Sequence, residues 1–342
     1  MSDNGAPMGR RGLLLLCLAL LAACGARDDA GPFTDSRLPA AISQADWAPV
    51  GWTWGLIQPT AGAAPQRYGV AAPATEPRAQ LLLLPRYGDF AETHYRQLNA
   101  FVGQYYVSWA LDGAGQGGSG RSFGPRDLGH VDAFDNDEAA IHALIQHAVR
   151  PSGAAPLVLV AEGTAAAVAL QALRSHPEGV AGVVLVEPTL RAPMSADPRL
   201  TAWAPRLRLG FIRAPGGSGW RHDAATPDVK TDSGRRLAWQ IANPDLRMGD
   251  PSLGWLAAFD DLVAQTTPQN LARISAPVLI LSAHGGADPD WAPLCRAMPH
   301  CTLASEAKPS TPQVIAFTEG FVRKGAPTPH PLSALSNDDL QR

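Results

Sequence analysis

Apolar positions along the chain fall into short continuous runs separated by longer mixed segments, the pattern of buried strands alternating with helices. The clearest run, Leu157–Val160, passes through a turn of small residues (Ala161, Glu162, Gly163, Thr164, Ala165) into an Ala-rich stretch ending at Leu170. Alanine favours helix, so the segment predicts strand, sharp turn and buried helix. Gln80–Leu84, Tyr105–Leu111 and Val180–Val186 have the same strand character, with helix-like segments at 92–103 and 139–149. Strand and helix in alternation predict an α/β fold around a mostly parallel sheet. Ahead of it, Gly51–Ile57 and Arg67–Ala72 flank a Pro/Gly/Ala loop and predict an opening antiparallel hairpin, in which Trp52 and Trp54, with Trp47 before them, suit sheet packing better than membrane anchoring.

From 190 to 272 the rhythm stops. Trp203, Trp220, Trp239 and Trp255 sit among Pro-, Arg- and Gly-punctuated helical stretches with no convincing strand, which predicts a helical cap inserted into a core of residues 46–189 and 273–323. The sheet resumes at Pro277–Ser282, and Trp291–Met298, Cys301–Ser305 and Pro312–Arg323 predict helix, strand and closing helix.

The chain ends read differently. Arg10 and Arg11 precede the apolar run Leu13–Ala23, which is too short for a stable membrane span and has signal-peptide proportions. It leads into Leu21-Ala22-Ala23-Cys24, which resembles the bacterial lipobox. That resemblance implies removal of 1–23, lipid on Cys24, and an envelope lipoprotein held to the membrane through that anchor. With Ala26 rather than Asp at the second position after the cysteine, it implies the periplasmic side of the outer membrane. Residues 24–45 have the small, polar composition of a tether, and 324–342 that of a disordered tail. Cys295 and Cys301 are then left, in an oxidising compartment, to form a disulfide or to stay as two buried thiols.

Composition narrows the chemistry. The 342 residues are 46% hydrophobic and 17% charged, enough for a proper core, and the net charge of −3 offers nothing to a phosphate backbone, so nucleic acid is not expected as a partner. The glycine-rich stretch 112–120 has no helix opening directly after it and is followed by Pro125, so it is not a dinucleotide fingerprint and no cofactor is expected. His142 and His147 are badly spaced for one metal on a helix face, and His284, Asp288, Asp290 and His300 lack a catalytic-metal spacing, so no metal is expected.

Five stretches, in order, resemble the bacterial lysophospholipase and monoglyceride-lipase branch of the α/β-hydrolases: LLLLPRYGDFAETHY (81–95), WALDGAGQGGSGR (109–121), DLGHVDAFDND (127–137), VLVAEGTAAAVALQALRSHPEGVAGVVLVEP (158–188) and, in the cap, NPDLRMGDPSLGWL (243–256). The resemblance implies a nucleophile elbow at the turn after Val160. Where the family reads G-H-S-M-G-G, this chain has Ala161, Glu162, Gly163, Thr164, Ala165 and Ala166, so the serine position is a glycine. The acid position falls on Asp288, with Asp290 as second candidate, and the histidine position on Pro309; no histidine occurs between His300 and His330. Thr164 retains one oxyanion N–H, while the loop Pro85-Arg86-Tyr87-Gly88 puts Arg86 where a small residue belongs, either to pair with Glu162 at the pocket mouth or to face solvent. Asp112 and Glu162 are the remaining pocket candidates. A serine needs a base and an orienting acid to attack a carbonyl, so the resemblance implies the architecture without triad hydrolysis. The expectation is a non-catalytic lipoprotein that binds an apolar or acyl ligand or a protein partner. The alternatives are an active esterase or lysophospholipase with relocated residues and a structural envelope protein.

Overall fold

A computed structural model of the chain describes residues 31–221, 226–308 and 310–323. The proposed signal segment, Cys24 and the tail 324–342 lie outside them. Eight strands form one sheet: β1 (Thr53–Ile57), β2 (Gln66–Ala71), β3 (Ala79–Leu84), β4 (Tyr106–Leu111), β5 (Leu157–Glu162), β6 (Val180–Val186), β7 (Val278–Ser282) and β8 (Cys301–Ser305). Their order is β1-β2-β4-β3-β5-β6-β7-β8. β2 pairs antiparallel with β1 and with β4, and every other pairing is parallel. This is the mostly parallel sheet with an antiparallel opening hairpin that the apolar runs predict.

β3 and β5 are buried along their whole length because helices cover both faces, which is why they read as unbroken apolar runs. Side chains alternate across the sheet. Leu82, Leu159 and Leu185 pack on one face against α2 (Asp135–Leu144) and α3 (Ala165–Ser175). Leu81, Val158 and Val184 pack on the other against α1 (Tyr95–Gly103) and α9 (Thr311–Glu319). Between β7 and β8 runs α8 (Trp291–Ala297), and Cys295 and Cys301 are disulfide-bonded, Cα atoms 5.3 Å apart, tying the end of α8 to the start of β8.

Residues 190–272 supply α4 (Pro198–Arg206), α5 (Asp232–Ala242), α6 (Leu253–Gln265) and α7 (Pro268–Leu271). Each starts on a side chain that accepts a backbone N–H of its first turn: Asp197, Thr231, Ser252 and Thr267. Among the described residues here, sheet-like pairing is limited to the bridge between Arg213 and Ser252. Trp255 and Phe259 of α6 reach down into the core beside α2 and α3.

The tether expected over 24–45 is corrected for its described part. The Phe33 N–H donates to Gly118 O at 2.7 Å, and the Arg37 N–H donates to Asn243 Oδ1 at 2.6 Å. Asn243 Nδ2 returns a bond to Arg37 O, and Ile42 is buried. Composition hid this because the segment is held chiefly by hydrogen bonds to its own backbone, which need no apolar side chains.

Candidate functional site

β5 delivers Glu162 to the carboxyl edge of the sheet, and the chain then turns through Gly163 at φ +52° into α3. That left-handed backbone strains any residue with a Cβ. The turn is pinned from both sides: the Gly163 N–H donates to Val186 O at 3.1 Å, and Gly163 O accepts from the Thr189 N–H at 3.1 Å. A Cβ on Gly163 would lie 2.9 Å from Arg86 Cβ. The space where a nucleophile's side chain would begin is therefore taken by the stem of Arg86.

The Arg86 guanidinium lies among three carboxylates, 3.5 Å from Glu162, 3.6 Å from Asp89 and 3.6 Å from Glu187. Burial works against its charge, but those carboxylates outweigh burial and raise its pKa. The other Glu162 oxygen is 3.6 Å from His94 Nδ1. Both Asp89 oxygens also accept from one edge of the Arg236 guanidinium, through Nε and Nη2, which ties α5 of the cap to the loop that carries Arg86.

The oxyanion loop is engaged internally. The Tyr87 N–H donates to Thr164 Oγ1 at 3.0 Å, and the Gly88 N–H to Gln116 Oε1 at 3.1 Å. Tyr87 packs its ring on Trp255 and donates its hydroxyl to Gly249 O, so the loop is fixed to the cap as well.

Asp288 follows β7, where the acid is expected, but its carboxylate serves its own loop. It accepts from Ser282 Oγ, from the Trp291 N–H at 2.9 Å and from the Asp290 N–H at 3.0 Å. Burial alone would raise its pKa; these three bonds outweigh burial and hold it below the usual carboxylate range. Asp290 points to the surface, 3.6 Å from Arg191. Pro309 lies outside the described residues.

The pocket role expected of Asp112 is corrected. Asp112 is buried and, with Glu92, clamps the buried guanidinium of Arg67: Nε is 2.8 Å from Asp112 Oδ2, and Nη1 and Nη2 are 2.7 and 2.8 Å from the two Glu92 oxygens. The glycine-rich loop wraps this cluster; a Cβ on Gly118 would lie 2.1 Å from Arg67 Nε. Gly117, against Asp112, and Gly118 are there for close approach to an internal ion pair.

Two cavities flank the elbow. Beside Thr164, between Leu84, Phe134, Val168 and Trp255, is an apolar space of about 30 Å³, which holds little more than a water molecule. The larger cleft, about 540 Å³, is polar and is lined by Arg86, Glu162, Glu187, Arg236, Glu306 and Lys308 among others. Here Glu187 stands at φ +42°, 2.8 Å from Lys308. Burial, then the adjoining Glu187 carboxylate, push Glu306 up to about 7. The sequence marks Glu187 only by its place at the carboxyl edge of a strand, and Glu306 not at all.

A Ser–His–Asp set does occur elsewhere. Ser252 Oγ is 2.9 Å from His130 Nδ1, and His130 Nε2 is 3.6 Å from Asp132. Ser252 is completely buried, its Oγ already accepts the Trp255 N–H that begins α6, and a Cβ on Gly254 would meet His130 Cε1 at 2.8 Å. With no room for a substrate, the set locks the cap onto the core. No spacing along the chain signals it, because 122 residues separate the two partners. Among the described residues, no cluster of three or more His, Cys, Asp or Glu is placed to hold a metal ion.

Comparison with known proteins places this geometry. A curated relative, lysophospholipase L2 of Escherichia coli (strain K12), is 29% identical over 184 residues, 51% of this chain and 53% of that protein. The match thus spans about half the length of each. A soluble variant of monoglyceride lipase from Saccharomyces cerevisiae, solved with a substrate analogue, superposes with a TM-score of 0.56 at 14% identity, covering 84% of this chain and 99% of that one. A thermostable carboxyl esterase from Bacillus coagulans gives 0.54 at 14% identity, covering 80% and 99%. At such identities these structures speak for the fold alone. The family described as serine aminopeptidase, S33, matches residues 75–320. With most of the chain inside that match, the protein belongs to the serine aminopeptidase S33 family, on an α/β-hydrolase fold.

Proposed function

We propose that this protein is a non-hydrolysing member of its family, a binding protein built on the elbow architecture. The observation that carries this is the 2.9 Å between Arg86 Cβ and the position a Gly163 side chain would take. A missing serine alone is a vacancy, whereas a vacancy filled by a neighbour held among three carboxylates is a different site. Losing one triad member costs several powers of ten in rate, and here both nucleophile and base positions have changed residue type. The test is labelling of the purified protein with a serine-reactive fluorophosphonate. No covalent adduct is expected; a stoichiometric one sinks this reading in favour of an active ester hydrolase with relocated residues.

The ligand, on this reading, sits in the polar cleft rather than in the apolar space beside Thr164. A volume of about 540 Å³ suits a small molecule. Arginine and lysine side chains balance carboxylates in the lining of the cleft, which favours a polar ligand of little net charge over an acyl chain. Native mass spectrometry of the purified protein checks this: a co-purifying fatty acid or lysolipid would contradict it. The lipobox-like tetrad ending at Cys24 supports placing the protein at a bacterial envelope.

A further inference from the structure

Large apolar side chains are exposed together on one part of the cap. α4 buries Thr201 and Ala204 and turns Leu200 and Trp203 outward, Trp203 being 57% exposed. The turn that follows exposes Leu207, at 62%, then Leu209 and Ile212. Positions 200, 203 and 207 fall on one helical stripe, the stripe that normally faces a core. Phe123 reaches the same place from the glycine-rich side, half-exposed, with its ring centre 4.5 Å from that of Phe211.

Basic charge predominates along this stretch. Arg199, Arg206 and Arg208 are exposed, and no acidic residue occurs from Pro198 through Arg221. Exposed leucine and tryptophan flanked by three arginines, with Asp197 at the start of α4 and Asp132 beside His130 at the margin, match the chemistry of an anionic bilayer surface: apolar groups enter the headgroup boundary while guanidiniums stay with the phosphates.

The position of the N-terminal end agrees. Gly31 O accepts from Arg126 Nη1 at 2.5 Å, and the Phe33 N–H bonds to Gly118 O, so the chain joins the body close in sequence to Phe123. From Cys24 to Gly31 the chain reaches at most about 25 Å. A lipid on Cys24 would hold this edge of the molecule against the membrane.

We propose that the face formed by Leu200, Trp203, Leu207, Leu209, Ile212 and Phe123 lies on an anionic lipid bilayer, orienting the protein on the membrane that carries it. The tether argument rests on the lipoprotein reading; the exposed basic, apolar face does not.

The test is tryptophan quenching by brominated lipid, with the full chain reconstituted in phosphatidylglycerol/phosphatidylethanolamine vesicles. Trp203 is expected to be quenched, and Trp203→Phe to remove that quenched component. Leu207→Glu with Leu209→Glu should abolish the quench while leaving the thermal melt unchanged, both side chains being exposed. Replacing Arg199, Arg206 and Arg208 by Gln should weaken it in anionic vesicles, as should high salt. Quenching that Trp203→Phe leaves intact, or that survives the paired glutamates, overturns the proposal. A dimer in detergent that the paired glutamates dissociate also overturns it, assigning the face to a second copy. Mass spectrometry of Cys24 decides the lipid anchor separately: an unmodified cysteine removes the lipoprotein reading while the quenching still decides the face.

Discussion

The Tyr87 N–H donates to Thr164 Oγ1 at 3.0 Å across the top of the sheet. In a working elbow that loop N–H faces the place where an oxyanion develops; here a side chain one residue past the turn has taken it. Arg86 fills the adjoining space, so the turn is closed by its own neighbours.

Gly163→Ser is therefore expected to give no esterase turnover and no fluorophosphonate adduct. The left-handed backbone strains a serine by about 1–3 kcal/mol, and its Cβ would press on Arg86 Cβ. The variant should melt a few degrees lower, and adding Arg86→Gly should recover part of that loss without activity. Turnover by either variant would mean that a base is present after all.

Ser252→Ala separates a lock from a catalyst. It removes the cap that starts α6 and the partner of His130 Nδ1. The expected cost is about 1–2 kcal/mol in denaturant unfolding, with faster proteolysis of the cap. Any hydrolysis present in the wild type that vanishes in this variant, at unchanged stability, would restore a catalytic role to the set.

The Glu187–Glu306 pair sets a pH dependence. Glu306 is raised to about 7 in the folded protein, so between its ordinary value near 4.5 and about 7 the folded state holds a proton that the unfolded state has lost. That contribution is fully present below the ordinary value and disappears as pH rises through 7. Glu187 runs the other way: burial opposes its ionisation, but bonds from Glu306 and Lys308 outweigh burial and lower its pKa, so its contribution is lost only at acid pH. Glu306→Gln should flatten the decline of Tm between pH 5 and 8, a range set by those values. An unchanged profile would show that the pair shares no proton.

Arg67→Met leaves Glu92 and Asp112 buried without their cation. Breaking a buried pair in this way costs about 3–5 kcal/mol, read from the urea midpoint. Adding Glu92→Gln and Asp112→Asn should return part of it. A small loss in the single variant would mean that water reaches the cluster.

Much of this molecule is legible without coordinates. Leu157–Val160 and the Ala-rich run after it declare strand, turn and helix because burial on both faces demands continuous apolar sequence, and Gly163 stands at the apex of that turn. Residues 31–45 mislead because hydrogen bonds to backbone leave no compositional mark. Asp112 misleads for a related reason: a carboxylate in a glycine-rich loop looks the same whether it faces a ligand or a buried Arg67.

The sequence by itself determined the sheet, the interruption by helices and a glycine at the turn after β5, since those depend on local periodicity and residue identity; the family resemblance implies that this glycine replaces a serine. Only the tertiary structure decided that the loss is filled, by bringing Arg86 from the loop after β3 against a glycine at the end of β5. It also decided that the open volume is polar, by gathering Glu187, Glu306 and Lys308 at the carboxyl edge of the sheet. The physical reason is that strands far apart in sequence become neighbours in the sheet, so the chemistry at their ends is a property of strand order, which no single stretch of the chain contains.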